Sequence, residues 1–373
     1  MGRKYRAGDE AFGLKLFSDV QNISGLSSPE TWIWNSIRQL RSMEFTSELL
    51  RSRGIAPKSK RTAASSAVRL YIDQAHEFYQ IGAQASDRSS PLLFYYSFLN
   101  LAKAVVELDN PDFRSRSASR SHGMSYRATS ALGGLSLEKF SVSARKGVWH
   151  ELAEVVCGAT FTLAADHQVN VVDAFSLCPE VSAEFERSIG RNSNVLPLSG
   201  GSILLKKATR RSWLEFQFNK GTMAYLGVTT TQLASWLSQS GIDFDYFGTR
   251  ENDHVFQQRR TRVFGGNHLA LDRSCADLRR IGLIPYQEGT DQAFYLSRVS
   301  LGLPHWTTYL LNLYMLFFWF GSVVRYDPAK VSHLEDSREW LLLSGFLMES
   351  RQILLEQFEW HLFRKTTLLR HPR

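Results

Sequence analysis

Apolar residues recur along this chain at two spacings. Between Ser28 and Arg51 they return every three or four positions, with Trp32, Ile33, Ile37, Leu40 and Met43 on one face, which predicts a helix over 28–51. Ser28 stands where a cap is needed and Pro29 where a first turn tolerates proline. After the basic linker 52–61, the positions Val68, Tyr71, Ile72, Ala75, Phe78 and Tyr79 predict a second helix over 62–85. A third, 91-PLLFYYSFLNLAKAVVEL-108, opens at Ser89-Ser90-Pro91 and stops at Asp109-Asn110-Pro111. It is apolar nearly all round, the pattern of a helix buried between others, yet it carries an amide, Asn100, and a cation, Lys103. Alternation with period two predicts strands at 203–208 and 213–219 around a basic turn, and further strands at 254–264 and 292–299, with a helix over 229–239. Helices return over 305–325 and 336–368, and the basic tail 364–373 is expected to fray. The reading is a mainly α chain with an α+β middle segment. Residues 1–130 form a helical bundle with a Ser/Arg-rich loop, 131–300 a mixed segment, and 301–373 helices that pack back on the bundle.

Composition narrows the function classes. The 373 residues are 43% hydrophobic and 21% charged, which suits a chain with a real core. The net charge of +8 permits RNA or DNA as a partner without requiring it. Cys157, Cys178 and Cys275 show no metal-ligand spacing, and three buried thiols in a reducing cytoplasm is the expectation. The first residues lack the apolar core of a secretion signal. The stretch 309-YLLNLYMLFFWFGSVV-324 reads either as a core helix or as one facing a membrane; its 16 residues fall short of the ~20 a bilayer requires, and the core reading is preferred.

Two blocks carry a family resemblance. The run PLLFYYSFLNLAKAVVEL followed by SHGM, and the later YLLNLYMLFFWFGSVVRYDP, resemble the signature of YaaC-like proteins. A helix of the form YY-x-x-x-N-x-x-K-A followed by Ser-His-Gly is similar to the middle of HEPN domains, helical bundles found in prokaryotic toxins and antiviral systems. The resemblance implies a HEPN-like bundle completed by the C-terminal helices, in a cytoplasmic prokaryotic protein. It further implies an accessory subunit working with a protein partner, or with copies of itself, in defence against foreign nucleic acid. HEPN ribonucleases pair an Arg with a His, with four to six residues between them. Arg116 and His122 are separated by five residues here, although Ser117 follows the arginine where those enzymes place Asn, Asp or His. Arg364 and His371 offer a second such spacing in the tail.

Residue chemistry gives the candidates their roles. His122 near its ordinary pKa suits a base for a ribose hydroxyl, and Arg116 a cation for phosphorane charge, with no metal and no cofactor. Arg114, Arg116, Arg120 and Arg127 alternate with serines and suit phosphate contacts, with Tyr126 beside them to stack on a base. Lys206, Lys207, Arg210 and Arg211 crowd the predicted hairpin near Trp213 and Phe216, and Arg259, Arg260 and Arg262 follow on the next strand. Tyr95, Tyr96, Asn100 and Lys103 are candidates for one pocket together with His122; equally, Asn100 is a packing amide. Arg325-Tyr326-Asp327 reads as an ion-pair corner. Glu215-x-Gln217 is the weak trace of a metal nuclease, and no phosphate-binding glycine loop or zinc-protease motif occurs. Binding is favoured over catalysis. The rival readings are a metal-independent ribonuclease and a purely structural helical subunit.

Overall fold

The computed structural model describes residues 9–24, 28–129, 136–157, 168–238, 241–259, 261–263, 267–281, 283–288, 291–297 and 309–370. In chain order the helices are α1 (Pro29–Ile37), α2 (Met43–Ser52), α3 (Lys58–Gln84), α4 (Ser90–Asp109), α5 (Val148–Cys157), α6 (Val171–Phe175), α7 (Ser182–Ile189), α8 (Lys220–Tyr225), α9 (Thr230–Ser238), α10 (Asn267–Ile281), α11 (Tyr309–Tyr326), α12 (Pro328–Glu335) and α13 (Trp340–Phe363). The strands are β1 (Asp9–Gly13), β2 (Val20–Ser24), β3 (Met124–Ala128), β4 (Phe140–Ala144), β5 (Gln168–Asn170), β6 (Val195–Pro197), β7 (Gly200–Lys206), β8 (Arg211–Asn219), β9 (Phe244–Arg250), β10 (Asp253–Gln258), β11 (Arg262–Val263), β12 (Leu283–Glu288), β13 (Asp291–Ser297) and β14 (Thr366–Arg370). The chain is mainly helical with small sheets, as the patterning predicts.

The first core is built around α4. From Phe94 to Leu108 nearly every residue of this helix is buried, because α3, α11 and α13 pack around it. Glycines let two neighbours come close. A Cβ on Gly82 of α3 would stand 3.2 Å from Phe94, and one on Gly321 of α11 would stand 3.2 Å from Leu92 Cα and from the Pro91 carbonyl. Aromatic rings fill the space between: Phe98 lies 4.9 Å from Phe317 of α11 and 5.9 Å from Phe358 of α13, centroid to centroid. Each such aromatic pair adds about 0.5–1.5 kcal/mol beyond the area it buries. Helix α11 is enclosed on every side from Tyr309 to Val323, so the membrane-facing reading of its apolar run gives way to a core helix. No helix among the described residues is long and apolar enough to cross a membrane. The amide of Asn312 is held there by the Ala174 carbonyl at 3.0 Å.

The second core lies under a six-stranded antiparallel sheet of order β1-β7-β8-β10-β9, with β11 also on β8. Leu214, Phe216 and Phe218 point from β8 into this core, against Leu233 of α9 and Leu278 of α10. The β3-β4-β5 sheet flanks the first core, the β12-β13-β6 sheet places residues in both cores, and β14 pairs in parallel with β2.

Several expectations are corrected. The helix predicted over 28–51 breaks at a 3-10 turn, Arg38–Arg41, and restarts at α2, where Ser42 caps Phe45 N–H at 3.3 Å. The tail does not fray at its start: α13 ends where Arg364 adopts a left-handed backbone (φ 54°), and residues 366–370 form β14. Part of the Ser/Arg-rich loop is strand β3. Helix α10 and strands β1, β2, β6 and β12 have no counterpart in the sequence reading. Residues 239, 260, 264, 298–299, 305–308 and 371–373 of the predicted elements lie outside the described residues.

Candidate ligand pocket and basic surfaces

The loop that carries His122 is pinned by two glycines. Gly123 (φ 77°) and Gly147 (φ 152°) both occupy backbone conformations that favour glycine, and they touch. A Cβ on Gly147 would come within 2.5 Å of Gly123 N. This approach lets the first amides of α5 donate outward, Val148 N–H to Ser121 O at 2.9 Å and Trp149 N–H to His122 O at 3.2 Å. Residues 121–123 are thereby fastened to the start of α5, and the His122 ring turns toward α4.

There His122 Nδ1 shares a hydrogen bond of 2.6 Å with the Tyr95 hydroxyl. Burial, followed by the nearby charges of Lys103 and Arg325, lowers the imidazole pKa below its ordinary value, so the ring is neutral at pH 7. Around it lies a pocket of about 260 Å³ lined by Tyr95 and Tyr96 of α4, His122, Ser125 and Tyr126, and Ser322, Arg325 and Tyr326 of α11, with Phe318 behind. Arg325 bonds the Tyr96 hydroxyl and lies over the ring of Tyr326, 5.0 Å from its centroid. Tyr126 donates to Asp327, which also pairs with Lys330 at 3.0 Å. Both partners hold the Asp327 carboxyl below its usual range. The walls are thus aromatic, and the charge facing inward is cationic. Such a site accommodates a planar ring that carries an anionic group.

The sequence-predicted residues separate into groups. Tyr95, Tyr96 and His122 meet in the pocket, and the corner Arg325-Tyr326, assigned above to structure, lines it as well. Asn100 does not line it: its amide donates to the Tyr96 carbonyl one turn back at 2.9 Å, so it satisfies its own helix rather than bridging two. Lys103 lies 5.8 Å from the centroid of Tyr71 and acts on His122 through its charge. Arg116 is not among the pocket-lining side chains. It reaches Glu151 Oε2 at 3.2 Å, and in the favoured orientation of the Asn110 amide both Arg116 Nη atoms donate to the Asn110 side-chain oxygen. Arg114 gives its backbone N–H to the buried Glu107 at 3.0 Å, while its side chain, like those of Arg120 and Arg127, stands exposed.

The hairpin cations also diverge. Lys206 and Arg211 line a groove of about 330 Å³ with Trp213, Gln257 and Arg259, whereas Lys207 pairs with Glu10 and Arg210 sits in the turn with φ 50°. Phe216 faces the opposite side, stacked on Phe244 in the second core, so it is no part of this surface. Arg259 pairs with Asp245, Arg262 lies on β11, and Arg260 and His371 lie outside the described residues. Glu215 is saturated by Gln257 at 2.7 Å and Arg250 at 3.0 Å. No group of three or more potential metal ligands occurs among the described residues.

Compared with known proteins, residues 38–362 match the family model described as YaaC-like Protein, a stretch that contains the whole pocket. No curated protein and no solved structure matches the chain.

Proposed function

The chain belongs to the YaaC-like family, and we propose that it is a nucleic-acid-binding accessory protein that takes one nucleotide of an RNA or DNA strand into the tyrosine pocket. The observation that carries this reading is the convergence of Tyr95, Tyr96, Tyr126 and Tyr326 on Arg325 and His122. A base stacks on a phenol ring whatever its sequence, and an adjacent guanidinium grips the phosphate. The exposed arginines Arg114, Arg120 and Arg127 belong to the same stretch, 112–130, as His122 and Tyr126, and extend the contact to neighbouring phosphates. A HEPN-like ancestry of the α3–α4 bundle, cytoplasmic work with a protein partner and a role against foreign nucleic acid belong to the same proposal.

The test is a gel-shift titration with labelled RNA and DNA, with and without EDTA, at several salt concentrations. Binding that weakens steeply with salt, without cleavage, is the expected result. No binding to either probe at physiological salt would sink the proposal and leave a structural subunit.

A second reading, the metal-independent ribonuclease, is supported by one observation: His122 is neutral, fixed by Tyr95 and placed beside a cation. That cation is Arg325 rather than Arg116. EDTA-resistant RNA cleavage abolished by His122→Ala would favour it.

A further inference from the structure

A second cleft lies elsewhere, at the seam between the two cores, with a volume of about 560 Å³. Arg279 of α10 forms one side, and His361 and Arg364 at the end of α13 form the other. Arg53, its side chain 6% exposed, has Nη1 2.8 Å from Oδ1 of Asp109, a residue of the cleft lining. Arg364 reaches the same oxygen at 2.6 Å. Asp109 therefore has two cations already, and Asp272 accepts the Ser18 hydroxyl. Arg279 rests on the Phe17 ring, 4.6 Å from its centroid, and donates to the Leu16 carbonyl. It forms no ion pair with a described carboxylate. His361 is 8% exposed, edge-on to Phe17 at 5.4 Å, and forms no hydrogen bond to a described residue.

His361 lines the cleft with no hydrogen bond to a described residue, and the charges of Arg279, Arg364 and Arg53 surround it. Burial and then the charges of Arg279, Arg364 and Arg53 push the His361 pKa down to about 3, so the ring stays neutral and keeps one N–H to donate. Two guanidinium forks and that N–H approach from separate elements, an arrangement that suits a tetrahedral oxyanion better than a planar carboxylate. The acids limit the fit. Asp109, Asp272 and the exposed Asp19 line the same cleft and would repel a polyphosphate. Val155, Val156 and Ala276 leave an apolar wall for the rest of the ligand.

We propose that this cleft binds a single phosphate monoester group through Arg279, Arg364 and His361, so that a phosphorylated ligand ties α10 of the second core to the end of α13. The group belongs either to a free small molecule or to the phosphorylated end of a strand. The site shares no residue with the tyrosine pocket and does not depend on the reading given to it.

Calorimetric titration of the full chain with inorganic phosphate, a nucleoside 5′-monophosphate, and matched 5′-phosphorylated and 5′-hydroxyl oligonucleotides tests this, with sodium chloride at equal ionic strength as the control. Saturable binding of a phosphate probe is expected, weakened at least about tenfold by Arg279→Gln and less by Arg279→Lys. In the unaltered protein, the same probe slows alkylation of Cys157, which lines the cleft, and this needs no variant to fold. Preference for the 5′-phosphorylated over the 5′-hydroxyl strand identifies a strand end, and preference for the mononucleotide identifies a free ligand. Absence of saturable binding by every phosphate probe, or an unchanged affinity in a folded Arg279→Gln protein, overturns the proposal. Arg325→Ala, which disables the tyrosine pocket, leaves phosphate binding here unchanged, so the two readings fail separately.

Discussion

Arg325 and Arg116 are both exposed arginines and rival candidates for the cation that works with His122, but their surroundings differ. Arg116 is committed to Glu151 and Asn110, while Arg325 faces an aromatic pocket and, among the described residues, has the Tyr96 hydroxyl as its hydrogen-bond partner. Arg325→Ala is therefore expected to weaken strand binding by about 1–3 kcal/mol, the range of a charge-assisted bond, and Arg116→Ala to leave it nearly unchanged. Gel-shift titration of the two variants decides it, and the opposite ranking would return the site to Arg116. A second residue-scale prediction concerns Glu356 on α13. Burial raises its pKa from 4.5 to about 7, with a bond from Gln352 and the charge of Glu359 acting as smaller opposed influences. A carboxyl whose folded pKa exceeds its unfolded one favours folding in its protonated form. That contribution is whole below about pH 4.5, declines as pH rises, and is gone above about pH 7. Glu356→Gln should then gain roughly 1–3 kcal/mol over the native protein at pH 8 and little at pH 4 in denaturant melts. An equal effect at both pH values would refute the cause. The pocket was half legible in the sequence for a residue-scale reason. Tyr95, Tyr96 and Tyr126 stand out as aromatics beside a histidine, but Arg325 is some two hundred residues away and reads locally as a helix-end ion pair. Asn100 misleads because a buried amide can bond its own helix without leaving a trace in the pattern.

At the scale of elements, helices announce themselves and long-range strands do not. The periodicity of α3, α4, α11 and α13 follows from burial on a fixed face or on all faces, so it is written within each segment. Strands β2 and β14 are short and lie more than three hundred residues apart, and neither has a face that its own residues specify. The break in the first predicted helix was invisible because Arg38–Arg41 keeps helical backbone while tightening, and the apolar spacing survives the change. The loop holding His122 depends on an element-scale fit, the contact of Gly123 with Gly147. Gly147→Ala places a Cβ 2.5 Å from backbone and forces a side chain onto φ 152°, so a loss of about 2–4 kcal/mol is expected. Chemical melts measure the loss, and a parallel fall in strand binding at temperatures where the variant remains folded would show that the loop positions His122. A variant as stable as the native protein would mean that the two loops separate without consequence.

The whole molecule is two cores joined by few segments, and the join is where its termini meet. Thr366 donates its N–H to Asp19 O at 2.9 Å, and its hydroxyl accepts from Phe17 N–H at 3.1 Å, which begins the parallel pairing of β14 with β2. Phe17 in turn packs in the second core and carries Arg279 on its ring, while His361 and Arg364 precede β14 on the same stretch of chain. The seam therefore closes a loop that spans nearly the whole sequence, and closing so long a loop costs entropy that its local bonds must offset. Removing residues 366–373 deletes β14 and leaves the Phe17 amide without its buried partner. The loss should fall in the range of about 2–4 kcal/mol, from one ladder of backbone bonds and a buried unsatisfied donor. Because the seam joins cores that each keep their own apolar cluster, the truncated chain should unfold in two calorimetric steps instead of one, the second core melting first. A single transition at the native temperature would show that β14 is an ornament and that α13 and the β12-β13-β6 sheet suffice to couple the cores.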